Sequence, residues 1–135
     1  LRQIESGHFD SIAINLNFAD EGAVDYVLPA AAERGMGVVT REAFLKGGLF
    51  RMGDEAGIVD WDALARAALK WNLSHLPVTS VLVGAKDVAQ LRNAASVLDD
   101  PALSDEDERL LDQLRETDTY RSTKASKDER FVSSR

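Results

Sequence analysis

The sequence contains no cysteine. Disulfides, thiolate metal sites and cysteine nucleophiles are therefore excluded. Long apolar runs are also missing, since none approaches the roughly 20 residues that cross a bilayer as a helix. No membrane partner is expected, and the location expected is the cytoplasm. Basic charge is in deficit, with 16 Lys and Arg against 23 Asp and Glu and a formal net charge of -7. A groove built for a polyphosphate backbone carries a basic surplus, so nucleic acid is not an expected partner. Histidine is scarce: His8 and His75 lie far apart and lack any metal-ligand spacing, so no metal site is expected. Neither a Gly-x-Ser-x-Gly elbow nor a phosphate-loop pattern occurs.

What remains is an ordinary globular composition, 44% hydrophobic and 29% charged over 135 residues. That length is about one domain. The chain opens on Leu1 rather than on a methionine, which carries the expectation of a segment in front of it.

Three apolar segments read as strands: Ser11 to Phe18, Met36 to Thr40 and Val78 to Val83. The second and third alternate little, as buried parallel strands do. The first alternates, with Ile12, Ile14, Leu16 and Phe18 on one face and Ser11, Ala13, Asn15 and Asn17 on the other. Its large apolar face suits packing on helices. Its small polar face suits the inside of a narrow barrel or a wet cleft.

Helical periodicity fills the gaps. Glu21 to Arg34 has apolar residues at helical spacing, and Pro29 should kink that helix or move its start to about Val27 or Leu28. Asp60 to His75 opens on a cap and carries the stripe Leu64, Ala67, Ala68 and Trp71. Asp87 to Leu98 is expected to bury Val88, Leu91 and Ala95, and Ser104 to Thr117 opens with a capping box formed by Ser104 and Asp107. Trp61 and Trp71 are both read as packing residues. Gly47 to Val59, with four glycines, is read as a long loop, and residues 118–135 as a polar, mobile tail with Phe131 and Val132 as its apolar anchors.

The order strand-helix-strand-loop-helix-strand-helix-helix predicts an α/β chain with parallel strands and right-handed crossovers. Three such strands would leave both outer edges unpaired.

Two stretches carry candidate chemistry. In Val81 to Leu91, VLVGAKDVAQL, a strand ends at Gly84, Lys86 follows, and a helix begins at once. Helix N-terminal amides beside a lysine make an anion site. The same pattern also describes a plain strand-to-helix turn with an exposed lysine. In Val38 to Leu49, VVTREAFLKGGL, a strand end is followed by Arg41, Phe44, Lys46 and two glycines. That stretch reads either as a flexible clamp over a phosphorylated ligand or as a polar loop whose glycines serve turns.

These segments together resemble the C-terminal half of an aldo-keto reductase, a (β/α)8 barrel that uses a nicotinamide cofactor, usually NADP. GHFDSIAINLNF is similar to the family's sixth strand, and MGVVTREAFLKGGL to its seventh strand and cofactor loop. DALARAALKWNLSHLPVTSVLVGAKDVAQLRNAA is similar to its last strand and helices, and DDPALSDEDERLLDQL to its closing helix. The match runs to about Glu116, which makes residues 1–117 a partial TIM barrel of about the last three strands with their helices and a C-terminal helix. Such a barrel takes about 250 residues, so 135 residues amount to a little over half of one.

The resemblance implies a role for each matching position. Lys86 would contact the adenosine 2'-phosphate of NADP, and Gln90 would help hold that end, with Gly84 giving close backbone approach. Arg41, Phe44 and Gly47 would lie along the stretch from nicotinamide to pyrophosphate. The family's adenine-side Asn falls where this chain has Ala94, with Asn93 one place early. Ala13 replaces a Gln common in the family, and Leu16 a Tyr. The family's catalytic Asp, Tyr, Lys and His come from its first four strands, and nothing in this sequence matches them. No catalytic residue is therefore assigned. The implied parent is an NADP-dependent oxidoreductase acting on a small aldehyde or ketone, inactive as this chain alone. The alternative is a non-catalytic binding or regulatory module derived from the same fold. The implied partners are the missing N-terminal half of the barrel or a second copy of the chain.

Overall fold

The computed structural model describes residues 1–133, with no account of the side chains of residues 130–133. In chain order its elements are α1 (Arg2–Glu5), β1 (Ser11–Asn15), α2 (Val27–Glu33), β2 (Gly37–Arg41), α3 (Gly48–Glu55), α4 (Trp61–Leu73), β3 (Val78–Val81), α5 (Val88–Ala95), α6 (Asp105–Arg115) and α7 (Asp118–Ser133). Short 3-10 turns, Leu45–Gly47 and Ser96–Leu98, precede α3 and follow α5.

The three strands form one parallel sheet in the order β1-β2-β3. Ser11 pairs with Gly37 and Asn15 with Arg41, so β1 and β2 run level along their whole length. Between β2 and β3 the register shifts by one residue at Thr79, whose hydroxyl donates to the Val38 carbonyl at 3.0 Å. The register puts Ile12, Val38 and Val78 in one row and Ile14, Thr40 and Val81 in the next. This face packs on the helices, with Val38 fully buried. The opposite face carries Ser11, Ala13, Ser80 and Arg41, all exposed, as the alternation of the first strand implied.

The core lies between that apolar face and the helices. Leu16, Phe18, Leu49, Met52, Leu64, Leu111 and Leu114 are its largest members. The stripe on α4 is buried along its length. Helix α2 begins at Val27, which keeps Pro29 within the first turn, where a missing N–H costs nothing. Gly35 ends it with φ +63°, a left-handed conformation natural to glycine.

Four expectations are corrected. The first strand stops at Asn15, because Asn17 turns the chain and pairs with Asp20. Gly47 to Val59 is largely helix α3, since Leu49 and Met52 fall on one face and bury against α4. Gly53 sits on that face, where a Cβ would lie 2.8 Å from Leu64 Cδ2. The face of α5 expected to be buried is open: Val88 and Leu91 are 62% and 55% exposed and Ala95 is exposed too, because β3 is the edge of the sheet and no further element covers that flank.

The fourth correction concerns the segment read as a mobile tail, which is helix α7. Tyr120 anchors it, buried and stacked on Phe18 with ring centroids 5.5 Å apart. Thr119 adds hydrogen bonds from its amide and hydroxyl to the Glu55 carboxylate, which lower the Glu55 pKa. The side chains of Phe131 and Val132, named as anchors above, lie outside the described residues, as do residues 134–135 altogether.

Helix α6 opens with the anticipated capping box. Ser104 Oγ accepts from the Asp107 amide at 3.2 Å, and the Asp107 carboxylate accepts from the Ser104 amide at 2.9 Å. Lys70 lies 3.3 Å from the same carboxylate. Burial raises the Asp107 pKa, but the Ser104 hydrogen bonds and Lys70 outweigh it and hold the pKa below the usual 3.8. A depressed carboxylate pKa stabilises the fold above the unfolded value, and that contribution disappears as pH falls through the folded value. Asp107→Asn should therefore cost about 0.5–1 kcal/mol at pH 7. In urea melts the gap to wild type should close as the pH falls from the unfolded-state value of about 3.9 through the lowered folded value.

Candidate functional site

Parallel pairing in near-level register brings the C-terminal ends of the three strands to one edge of the sheet. The segments leaving β2 and β3 enclose a cavity of about 540 Å³ on that edge. This falls within the roughly 300–1,000 Å³ of small-molecule sites. Three pieces of chain build its wall: Glu42 to Phe50 after β2, Trp61 to Ala65 at the start of α4, and Leu82 to Ala94 after β3.

Phe44, Gly47, Gly84, Lys86, Gln90 and Asn93, all singled out from the sequence, line this one cavity. Arg41 does not. It ends β2 on the exposed face of the sheet, where its Nε donates to Asn15 Oδ1 at 2.7 Å.

Each lining residue is held by local chemistry. Gly47 has φ +94° and caps α3, a conformation that favours glycine. A Cβ added at Gly84 would meet nothing within 4 Å, so the backbone there is open to a ligand. Asp87 caps α5 by accepting from the Gln90 amide at 2.8 Å. The Gln90 side chain folds back, and its Oε1 accepts from the Lys86 amide at 2.9 Å. This closes the tight turn that presents the Lys86 side chain. Among the described residues Lys86 forms no ion pair, so its charge faces solvent and the cavity mouth. Asn93 is fixed by two partners: Arg66 donates to its Oδ1, and its Nδ2 donates to the Asp62 carbonyl at 3.0 Å.

The sequence reading missed an aromatic wall. Phe44 and Phe50 pack at 5.6 Å between centroids, and Phe50 and Trp61 at 5.4 Å. All three line the cavity. Trp61 is 46% exposed, whereas Trp71 is buried at 7%. The readable signal was position: Trp61 is the first residue of α4, ahead of the buried stripe rather than within it. The wall offers an apolar aromatic surface of tilted rings, and the rest of the lining offers one cation unpaired among the described residues, amide groups and an open backbone. Such a cavity suits a ligand with a planar ring and an anionic group.

Elsewhere the candidates turn out structural. His75 Nδ1 donates to the Trp71 carbonyl at 2.8 Å and its ring lies 4.2 Å from that of Trp71, so it closes the end of α4. Among the described residues no group of three His, Asp or Glu could hold a metal, and no helix is long and apolar enough to cross a membrane.

No protein-family model matches the chain, and no curated protein matches it. Solved structures do. The apo form of aldo-keto reductase AKR11C1 from Bacillus halodurans is similar with a TM-score of 0.64 at 18% identity, over 84% of this chain and 46% of that one. Its holo form gives a TM-score of 0.63 at 18% identity, over 84% and 45%. The chain thus spans less than half the length of the structures it resembles. A likeness at this identity speaks to architecture: the chain has an aldo-keto reductase-like fold, an α/β structure matching part of a TIM barrel.

Proposed function

We propose that this chain is the cofactor-binding, C-terminal half of an NADP-dependent oxidoreductase that reduces an aldehyde or ketone. The observation carrying the reading is convergence. Six residues named from the sequence, five of them in two separate stretches and Asn93 just past the second, line a single cavity at the C-terminal edge of a parallel sheet. In barrels of this kind the ligand sits at that edge, and phosphate sites form after the last two strands.

Within this reading Lys86 supplies a point charge for the 2'-phosphate, on a turn closed by Gln90 and Asp87. Gly84 leaves room for close approach, and Asn93 presents a fixed amide. The aromatic wall shields the ligand from water. Bound cofactor supplies the hydride, and the protein supplies orientation and a proton. No tyrosine or histidine is among the cavity-lining residues, so the proton for a carbonyl oxygen comes from outside this chain's cavity. The open edges of β1 and β3 and the bare flank of α5 are where an N-terminal half, or a second copy, completes the barrel. The cytoplasm is the proposed location.

That neither tyrosine nor histidine is among the described cavity-lining residues favours one second reading, a binding or regulatory module without catalysis. Carbonyl reduction by the barrel completed with its N-terminal half separates the two readings.

Two outcomes test the cofactor assignment. Fluorescence titration should show NADPH binding weakened about ten-fold or more by Lys86→Ala, with NADH binding little changed. Equal NADPH affinities in the two proteins would sink the role of Lys86. NADPH should also protect Trp61 from acrylamide quenching and leave the response of Trp71 unaltered, as read by comparing wild type with Trp61→Phe.

A further inference from the structure

The cavity has a second layer of support that comes from the far end of the chain. Helix α7 brings Lys127 to the C-terminal edge of the sheet, with its Nζ 2.9 Å from Asp20 Oδ2 and 3.7 Å from Glu42 Oε2. All three side chains are largely covered, at 17%, 22% and 21% exposure. The other Glu42 oxygen, Oε1, lies 3.4 Å from Lys46 Nζ. Glu42 is held at its backbone as well. Asn17, fully buried, donates from Nδ2 to the Glu42 carbonyl at 3.1 Å and accepts from the Ala19 amide at 3.1 Å. Nearby, Lys124 of α7 pairs with Glu21 at 3.3 Å and with Asp128 at 3.8 Å.

Glu42 is also where the backbone leaves ordinary conformations. Glu42, Leu45 and Lys46 have φ of +64°, +51° and +55°. Each left-handed non-glycine residue costs on the order of 1 kcal/mol or more and persists where its surroundings over-determine it. Glu42 and Lys46 both line the cavity. The lip that shapes the site is therefore its most strained part. Three groups hold Glu42 there, one on its carbonyl and one on each carboxylate oxygen. Without Lys127, Asp20 and Glu42 become two half-buried carboxylates that have lost the cation they share. Like charges so placed repel, and Glu42 is the one on a strained backbone.

We propose that Lys127 is a positioning residue for the cavity: by bridging Asp20 and Glu42 it holds the segment Glu42–Gly47, with its left-handed residues, in its ligand-ready form, so that α7 acts as a strap across the site. The strap itself needs only the geometry above. Its effect on nucleotide affinity rests on the function proposed in the preceding subsection.

Hydrogen exchange and NADPH titration on the full chain, with Lys127→Ala, Lys127→Arg and Glu42→Gln, test it. The reporter amides are those of Leu45, Gly47 and Leu49, which bond to the Glu42 and Phe44 carbonyls within the lip. Lys127→Ala should speed their exchange about five-fold relative to the amides of α4, and weaken NADPH binding by a similar factor. Lys127→Arg should stay near wild type in both. Should Lys127→Ala loosen the whole chain, Glu42→Gln decides, since it spares the Lys127–Asp20 pair and should speed exchange at the lip alone. Wild-type exchange at these amides in both Lys127→Ala and Glu42→Gln would overturn the proposal. So would faster exchange at the lip with NADPH affinity unchanged. A wild-type chain that binds no NADPH defeats the cofactor reading, while the exchange rates still decide whether α7 is a strap.

Discussion

The parallel pairing of β1, β2 and β3 is the constraint on which everything else depends. Because all three strands run the same way in near-level register, every segment that leaves a strand does so at one edge. The turn after β1, the strained lip after β2 and the lysine-bearing turn after β3 are brought together for that reason alone. The connecting helices must then return along one face, which is why the apolar rows through Val38 and Thr40 are buried and the opposite rows stay open.

The same constraint explains which surfaces stay open. A three-stranded parallel sheet has two free edges and one uncovered face. Ser11, Ala13 and Ser80 on that face are all small. Val88 and Leu91 lie exposed beyond β3.

Much of this was legible because it depends on local chemistry. Strand identity, the start of α2 at Val27, the Asp60 and Asp87 caps and the Ser104–Asp107 box follow from neighbouring residues. Gly84 and Lys86 were legible because glycine, lysine and a helix start occur at fixed offsets after a strand, while Gln90 and Asn93 were named through the resemblance. The misses share another cause. Helix α3 was hidden by its glycines, and its stability comes from burying Leu49 and Met52 against α4. Helix α7 was hidden by its polarity, since it is held by the Phe18–Tyr120 stack and by ion pairs to residues about a hundred positions away. The place of Trp61 ahead of the buried stripe was readable, but its partner in the wall was not, because Phe50 belongs to another helix.

By itself, then, the sequence determined the elements, their caps, the direction of the strands and the short turn that presents Lys86, since all of these act over a few residues. Only the tertiary structure decided that Lys86 and Phe44 face one cavity while Arg41 does not. It also decided that α5 keeps a bare flank, and that Lys127 closes on Glu42. Those outcomes depend on which distant surfaces meet, and a pattern read along one chain carries no record of the distance between its ends in space.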